Sequence, residues 1–132
     1  MIEIKLNDKS YPLIFTTKAY ADICEKFKTY GEFIKTFTHI GDVKYNAQDC
    51  NNIAWLIALL ANQAILISNY ENKEKEPLLD PEYIVLKTKP RDLTDMNLKA
   101  IQAITEGWKS QTESEESDEV LDEIKNVKGA EE

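Results

Sequence analysis

The sequence predicts a mainly helical α+β domain: an N-terminal β-hairpin packed on a small helical bundle, followed by a disordered acidic C-terminal tail. Three observations predict it. Residues 2–15 alternate apolar and polar side chains on either side of a polar turn, the period-2 pattern of a half-buried hairpin. Beyond residue 16, apolar side chains recur at three-four spacing in separate runs, as in amphipathic helices. From residue 111 the chain is acidic, low in complexity and free of aromatics. The expected division is a hairpin-plus-helix domain over 1–110 and a tail over 111–132. At 132 residues and 42% hydrophobic composition, one domain of this size buries a core without disulfides or metals.

In residues 2–6, "IEIKL", Ile2, Ile4 and Leu6 face one way and Glu3 and Lys5 the other. "NDKS" at 7–10 supplies the turn, because Asn and Asp tolerate left-handed backbone. "YPLIF" at 11–15 is the second strand, with Tyr11, Leu13 and Phe15 on one face. Pro12 cannot donate to a ladder, so this is no central strand throughout. An isolated hairpin is marginal in water and must lie on something. The helix that follows supplies it: Thr16 or Thr17 as cap, then a stripe of Ala19, Tyr20, Ile23, Cys24 and Phe27.

Gly31 punctuates that helix, and Phe33, Ile34 and Phe37 predict a second short one. Residues 38–45 read as a loop turning at Gly41-Asp42. Asn46 is a candidate N-cap, with Asp49 three residues on, opening a helix over 47–70. Its stretch "IAWLIALLA" is apolar all round, as in the central helix of a bundle. The run Ile53 to Ile67 is interrupted by Asn62-Gln63 and falls short of the roughly 18–20 apolar residues of a membrane span. Residues 71–79 are charged and read as a surface loop.

Asp80-Pro81-Glu82 is a cap, a proline at the first helical position and an acid. "EYIVLKT" then gives a turn or two of helix, with a short strand as the competing reading because Ile84 and Val85 are β-branched. Lys89-Pro90 ends it. Asp92 or Thr94 caps a last helix, with a stripe of Leu98, Ile101, Ala103, Ile104 and Trp108, Leu93 just ahead of it, and Gly107 weakening the final turn.

The net charge of −8 is uneven. Residues 113–132 hold nine acids and two lysines, while the other 112 residues carry 15 acids and 14 bases. A near-neutral body with an acidic tail argues against nucleic-acid binding, where phosphate contacts supply most of the affinity. The first residues lack the plan of a secretory signal. Cys24 and Cys50 are read as free thiols.

Catalytic signatures are sparse. The single histidine, His39, lies in an expected loop; the cysteines form no CxxC, and no zinc set is visible. A Cys–His nucleophile pair would need His39 beside one of two cysteines on an apolar helix face or at a helix start. There is no GxSxG, GxGxxG or phosphate loop, and the four glycines are scattered. Asp92 and Asp95 read as helix-start residues rather than a catalytic pair. The expectation is a non-enzymatic protein without cofactors or metals.

Candidate partner-binding residues remain. Trp55 is assigned to the core. Trp108, near the tail, either packs on the body or anchors a partner. Val120, Leu121 and Ile124, with Val127, fall at helical spacing and would suit a segment that orders on a partner, against a solvated tail with incidental apolar residues.

The opening "IEIKLNDKSYPLIFTTKAYADICEKF" resembles the start of the tail assembly chaperones of long-tailed phages. There a short strand, a turn, an apolar strand and an amphipathic helix open a small helical domain. The long apolar helix "NAQDCNNIAWLIALLANQAI", the later "DLTDMNLKAIQAITEGW" and the acidic C-terminus are similar too. The resemblance covers residues 1–28 and, as an order of elements, 46–70 and 93–108. It implies a non-enzymatic role in the cytoplasm of an infected or lysogenic bacterium, phage- or prophage-encoded. The protein would hold the tape measure protein soluble and help recruit tail tube subunits. A homo-oligomer is compatible with it, and no nucleic acid or membrane is implied. The alternative is an acidic adaptor or host-targeting inhibitor whose tail occupies a basic site on a protein partner.

Overall fold

A computed structural model of the chain describes residues 1–38 and 45–109. His39 and the tail residues Val120, Leu121, Ile124 and Val127 lie outside the described residues, as does the expected disorder of 111–132. The described residues are mainly helical, with a two-stranded antiparallel hairpin set on five helices.

β1 (Glu3–Leu6) and β2 (Lys9–Pro12) pair with Leu6 opposite Lys9 and Glu3 opposite Pro12. The turn is only Asn7 and Asp8, both at positive φ (52° and 65°), as the type I′ hairpin turn requires. Lys9 and Ser10 therefore belong to the strand rather than to the turn. The second strand starts two residues earlier than its pattern indicates and stops at Pro12. Leu13 still donates its N–H to the Ile2 carbonyl (2.9 Å), and Ile14 donates to the carbonyl of Leu60 (3.2 Å) in the long helix. The chain thus leaves the hairpin to run onto the helical layer. Ile4, Leu6 and Leu13 are buried against it.

Thr16 caps α1 (Thr17–Phe27), accepting from Ala19 N–H at 3.1 Å. The break after it is made by Lys28 at φ 75°, not by Gly31. Thr29 then caps α2 (Tyr30–Thr38) by accepting from Glu32 N–H at 3.0 Å. Gly31 sits in the first turn of α2, where a glycine does not interrupt. Phe33 and Phe37 are buried, and Ile34 is left outside.

α3 (Ala47–Glu71) opens with a reciprocal capping box: Asn46 Oδ1 accepts from Asp49 N–H (2.8 Å) and Asp49 Oδ2 accepts from Asn46 N–H (3.1 Å). At 25 residues it is long and apolar enough to cross a membrane, contrary to the count of its uninterrupted apolar run. Within the fold it is the central helix: 56% of its most apolar window is buried, and it lies against β2, α1, α4 and α5. Ile53, Leu56, Ile57 and Leu60 are fully buried. Each such side chain contributes about 1.5–3 kcal/mol by leaving water.

α4 (Pro81–Lys87) settles the ambiguous "EYIVLKT" as helix. Asp80 accepts from Glu82 N–H (2.9 Å), Pro81 takes the first helical position, and Ile84 points inward. α5 (Pro90–Lys109) begins earlier than expected. Pro90 both ends the preceding turn and starts the helix. Asp92 reaches back to accept from Lys89 N–H at 2.8 Å. Thr94 instead exchanges a 2.8 Å hydrogen bond with the Tyr45 hydroxyl.

The core side of α5 also differs from the expected stripe. Leu93, Met96, Asn97, Ala100, Ala103 and Ile104 are buried, while Leu98 and Ile101 face solvent. α5 packs against α3 and β1 with the small Ala100 and Ala103 among its buried side chains. Leu93, Ala103 and Ile104 lie inside as expected, and Leu98 and Ile101 are displaced to the outer face.

Candidate interaction surface

Trp108 ends α5 and is 46% exposed. Its other side is fixed. Ring centroids of Phe15, Tyr20 and Tyr30 lie 5.5, 5.7 and 5.9 Å away, and its Nε1–H donates to Tyr30 Oη at 3.2 Å. The ring contacts continue from Tyr30 through Phe33 and Phe27 to Trp55. Trp108 thus packs on the body, as one of its two expected roles requires, and stays half-exposed. Burial holds the Tyr30 hydroxyl above its ordinary pKa of 10.0, opposed by the Trp108 hydrogen bond and aided by Cys24. Tyr20 is raised too, first by its hydrogen bond to Cys24. Cys24 and Cys50 are free and half-buried.

Leu98 (64% exposed), Ile101 and Trp108 follow one another along the outer side of α5 at three- and seven-residue steps, with Thr105 between the last two. Leu86 of α4 is exposed as well. Lone surface leucines are ordinary; here Leu98, Ile101 and Trp108 share one helix face.

A second apolar surface is the groove between α1 and α3, about 640 Å³. Its floor holds the half-buried Trp55 and Leu59, and Leu78 forms a wall. That wall is strapped down. Asn62 Nδ2 donates to the Leu79 carbonyl (2.9 Å), and Leu79 N–H donates to Asn62 Oδ1 (2.7 Å). One heptad along α3, Asn69 pairs in the same two-way fashion with the peptide of Glu76 (2.9 and 2.8 Å). The charged stretch read as a plain surface loop is therefore clamped along α3, with Leu78 held half-exposed above the groove. Asp22 and Glu25 of α1 line the opposite edge, and the Lys26 ammonium lies 5.0 Å from the Trp55 ring centroid.

A third depression, about 450 Å³, lies between β1 and the α4–α5 junction. Its charges balance: Lys5, Lys87 and Lys99 against Glu3, Asp92 and Asp95. Among the described residues, no group of three or more His, Cys, Asp or Glu side chains is placed to hold a metal ion. The predicted partner residues Val120, Leu121 and Ile124 lie outside the described residues, so Trp108 alone of that set is placed. Sequence reasoning missed the Trp55–Leu59–Leu78 groove, because its wall depends on amide-to-backbone pairing between separate segments. The one available signal was the pair of polar residues interrupting an otherwise apolar helix. No family model matches this chain, and no curated protein or solved structure is similar to it.

Proposed function

We propose that this chain is a non-enzymatic binding protein of phage or prophage tail assembly. In the cytoplasm of the bacterial host it covers apolar helical surface on the tape measure protein and engages tail tube subunits until they assemble. The observation that carries the proposal is the set of apolar side chains left outside a packed helical body, Leu98, Ile101 and Trp108 along α5. These offer burial to an apolar helix laid against them. The order of elements supports the tail-assembly assignment: hairpin, amphipathic helix, long apolar helix and late helix. The acidic residues of 113–132 keep such a complex soluble through like-charge repulsion.

Co-expression with a tape measure protein and a tail tube protein tests this. Retention of either on the tagged full chain supports it, and retention of neither contradicts it. A second reading follows from the tail charge: an acidic adaptor or inhibitor that occupies a basic site on a host protein. It predicts that deleting residues 111–132 abolishes all partner binding, whereas the assembly role predicts that the body retains its client.

A further inference from the structure

We infer that the open edge of β1 pairs with the same edge of a second copy of this chain, antiparallel and centred on Ile4. The pairing of β1 with β2 fixes which backbone groups remain free. Leu6 faces Lys9 across a two-residue turn, and Leu13 N–H donates to the Ile2 carbonyl at 2.9 Å. The hydrogen-bonded pairs of the hairpin are therefore Leu6–Lys9, Ile4–Tyr11 and Ile2–Leu13. Glu3 and Lys5 stand in the alternate pairs and direct their N–H and C=O away from β2. Among the described residues no backbone group meets them there. A depression of about 450 Å³ lies between this edge and Lys87, Thr88, Asp92, Asp95 and Lys99 of the α4–α5 junction. The β2 edge is not equivalent: Pro12 has no N–H to offer, and beyond it Ile14 donates to the Leu60 carbonyl of α3.

The side chains choose the occupant. With Ile4 opposite its own copy, Glu3 stands opposite Lys5 of the second copy, and Lys5 opposite Glu3 of the second copy. Both members of each pair aim N–H and C=O at the other, which gives four main-chain hydrogen bonds, and both pairs are opposite in charge. Glu3 and Lys5 are exposed, and neither is ion-paired among the described residues. On the inner face the half-buried Ile2 meets Leu6 of the second copy. A shift of two residues sets Glu3 against Glu3 or Lys5 against Lys5. A slip of one residue sets apolar side chains against charged ones. The stretch "IEIKL" is thus complementary to itself in one register. Ile4 and Leu6 are already buried in the single chain, so little apolar area remains to be covered and the dimer is weak.

Sedimentation equilibrium of the full chain tests this and should show a concentration-dependent dimer. Glu3→Lys and Lys5→Glu, each at an exposed position, should each raise the dimer dissociation constant about tenfold or more, because either change makes both cross-copy pairs like-charged. An equimolar mixture of the two variants restores opposite charges at both pairs. A heterodimer with the affinity of the wild type should form in it, and that recovery shows that both variants are folded. Amide exchange at Glu3 and Lys5 should slow as the wild type is concentrated. A chain that stays monomeric up to about 1 mM overturns the inference. So does a dimer that both variants retain, because the contact then lies on another face. Variants that remain monomeric when mixed overturn it as well. None of these outcomes depends on the tail-assembly role, which retention of the tail proteins tests separately.

Discussion

The side-chain amide of Asn62 pairs in both directions with the peptide of Leu79, at 2.9 and 2.7 Å, seventeen residues along the chain. Asn62 and its neighbour Gln63 are the polar interruption in the apolar run of α3, and each holds a different segment. Gln63, buried, accepts from the Thr16 hydroxyl and donates to the Leu59 carbonyl (2.9 Å), joining the start of α1 to α3. Asn62→Ala leaves both Leu79 peptide groups without protein partners. It should destabilise by about 1–3 kcal/mol in urea unfolding and speed amide exchange at Leu79. An unchanged exchange rate there would mean that the clamp does not hold the segment.

Gly107 is a packing requirement rather than a weak point. A Cβ at this position would sit 2.6 Å from the Cβ of Phe15, where the hairpin's exit crosses the end of α5. Helix propensity alone predicts that Gly107→Ala stabilises by about 1 kcal/mol. Overpacking against Phe15 predicts a net loss of about 1–2 kcal/mol. Chemical denaturation decides by sign.

The rotation of α5 makes a paired prediction. Leu93 is buried and Leu98 is 64% exposed. Leu93→Ala should cost about 2–4 kcal/mol and Leu98→Ala less than about 0.5 kcal/mol. Comparable losses at the two sites would contradict the observed face.

Tyr30 gives the fold a pH dependence of definite sign. Its folded-state pKa is raised above 10.0, chiefly by burial. The stability it contributes is therefore complete below pH 10 and lost as pH rises through the raised value. The unfolding free energy of the wild type should fall above pH 10 more steeply than that of Tyr30→Phe. Parallel pH profiles for the two proteins would contradict this.

Local chemistry was legible in the sequence. The caps at Thr16, Asn46 and Asp80-Pro81 are written in adjacent residues, and the alternation in 2–6 names the buried face of β1. The central place of α3 followed from its lack of a polar face. What was hidden depends on segments meeting. The apolar spacing names Leu93, Ala103 and Ile104 correctly as packed but misplaces Leu98 and Ile101, because Met96, Ala100 and even Asn97, whose Oδ1 is buried with no partner among the described residues, complete the packed side. The break before α2 belongs to Thr29 and the positive φ of Lys28 rather than to Gly31, the residue that local composition points to. Of the candidate partner residues, Trp108 was legible as half-open, whereas the clamped wall of the groove leaves no periodic trace.

The most direct measurement of the proposed role is size-exclusion chromatography of the full chain co-expressed with a phage tape measure protein and, separately, with a phage tail tube protein. A co-eluting complex with at least one of them is expected, weakened when Ile101 and Trp108 are replaced by serine. Elution of this chain apart from both proteins would contradict it.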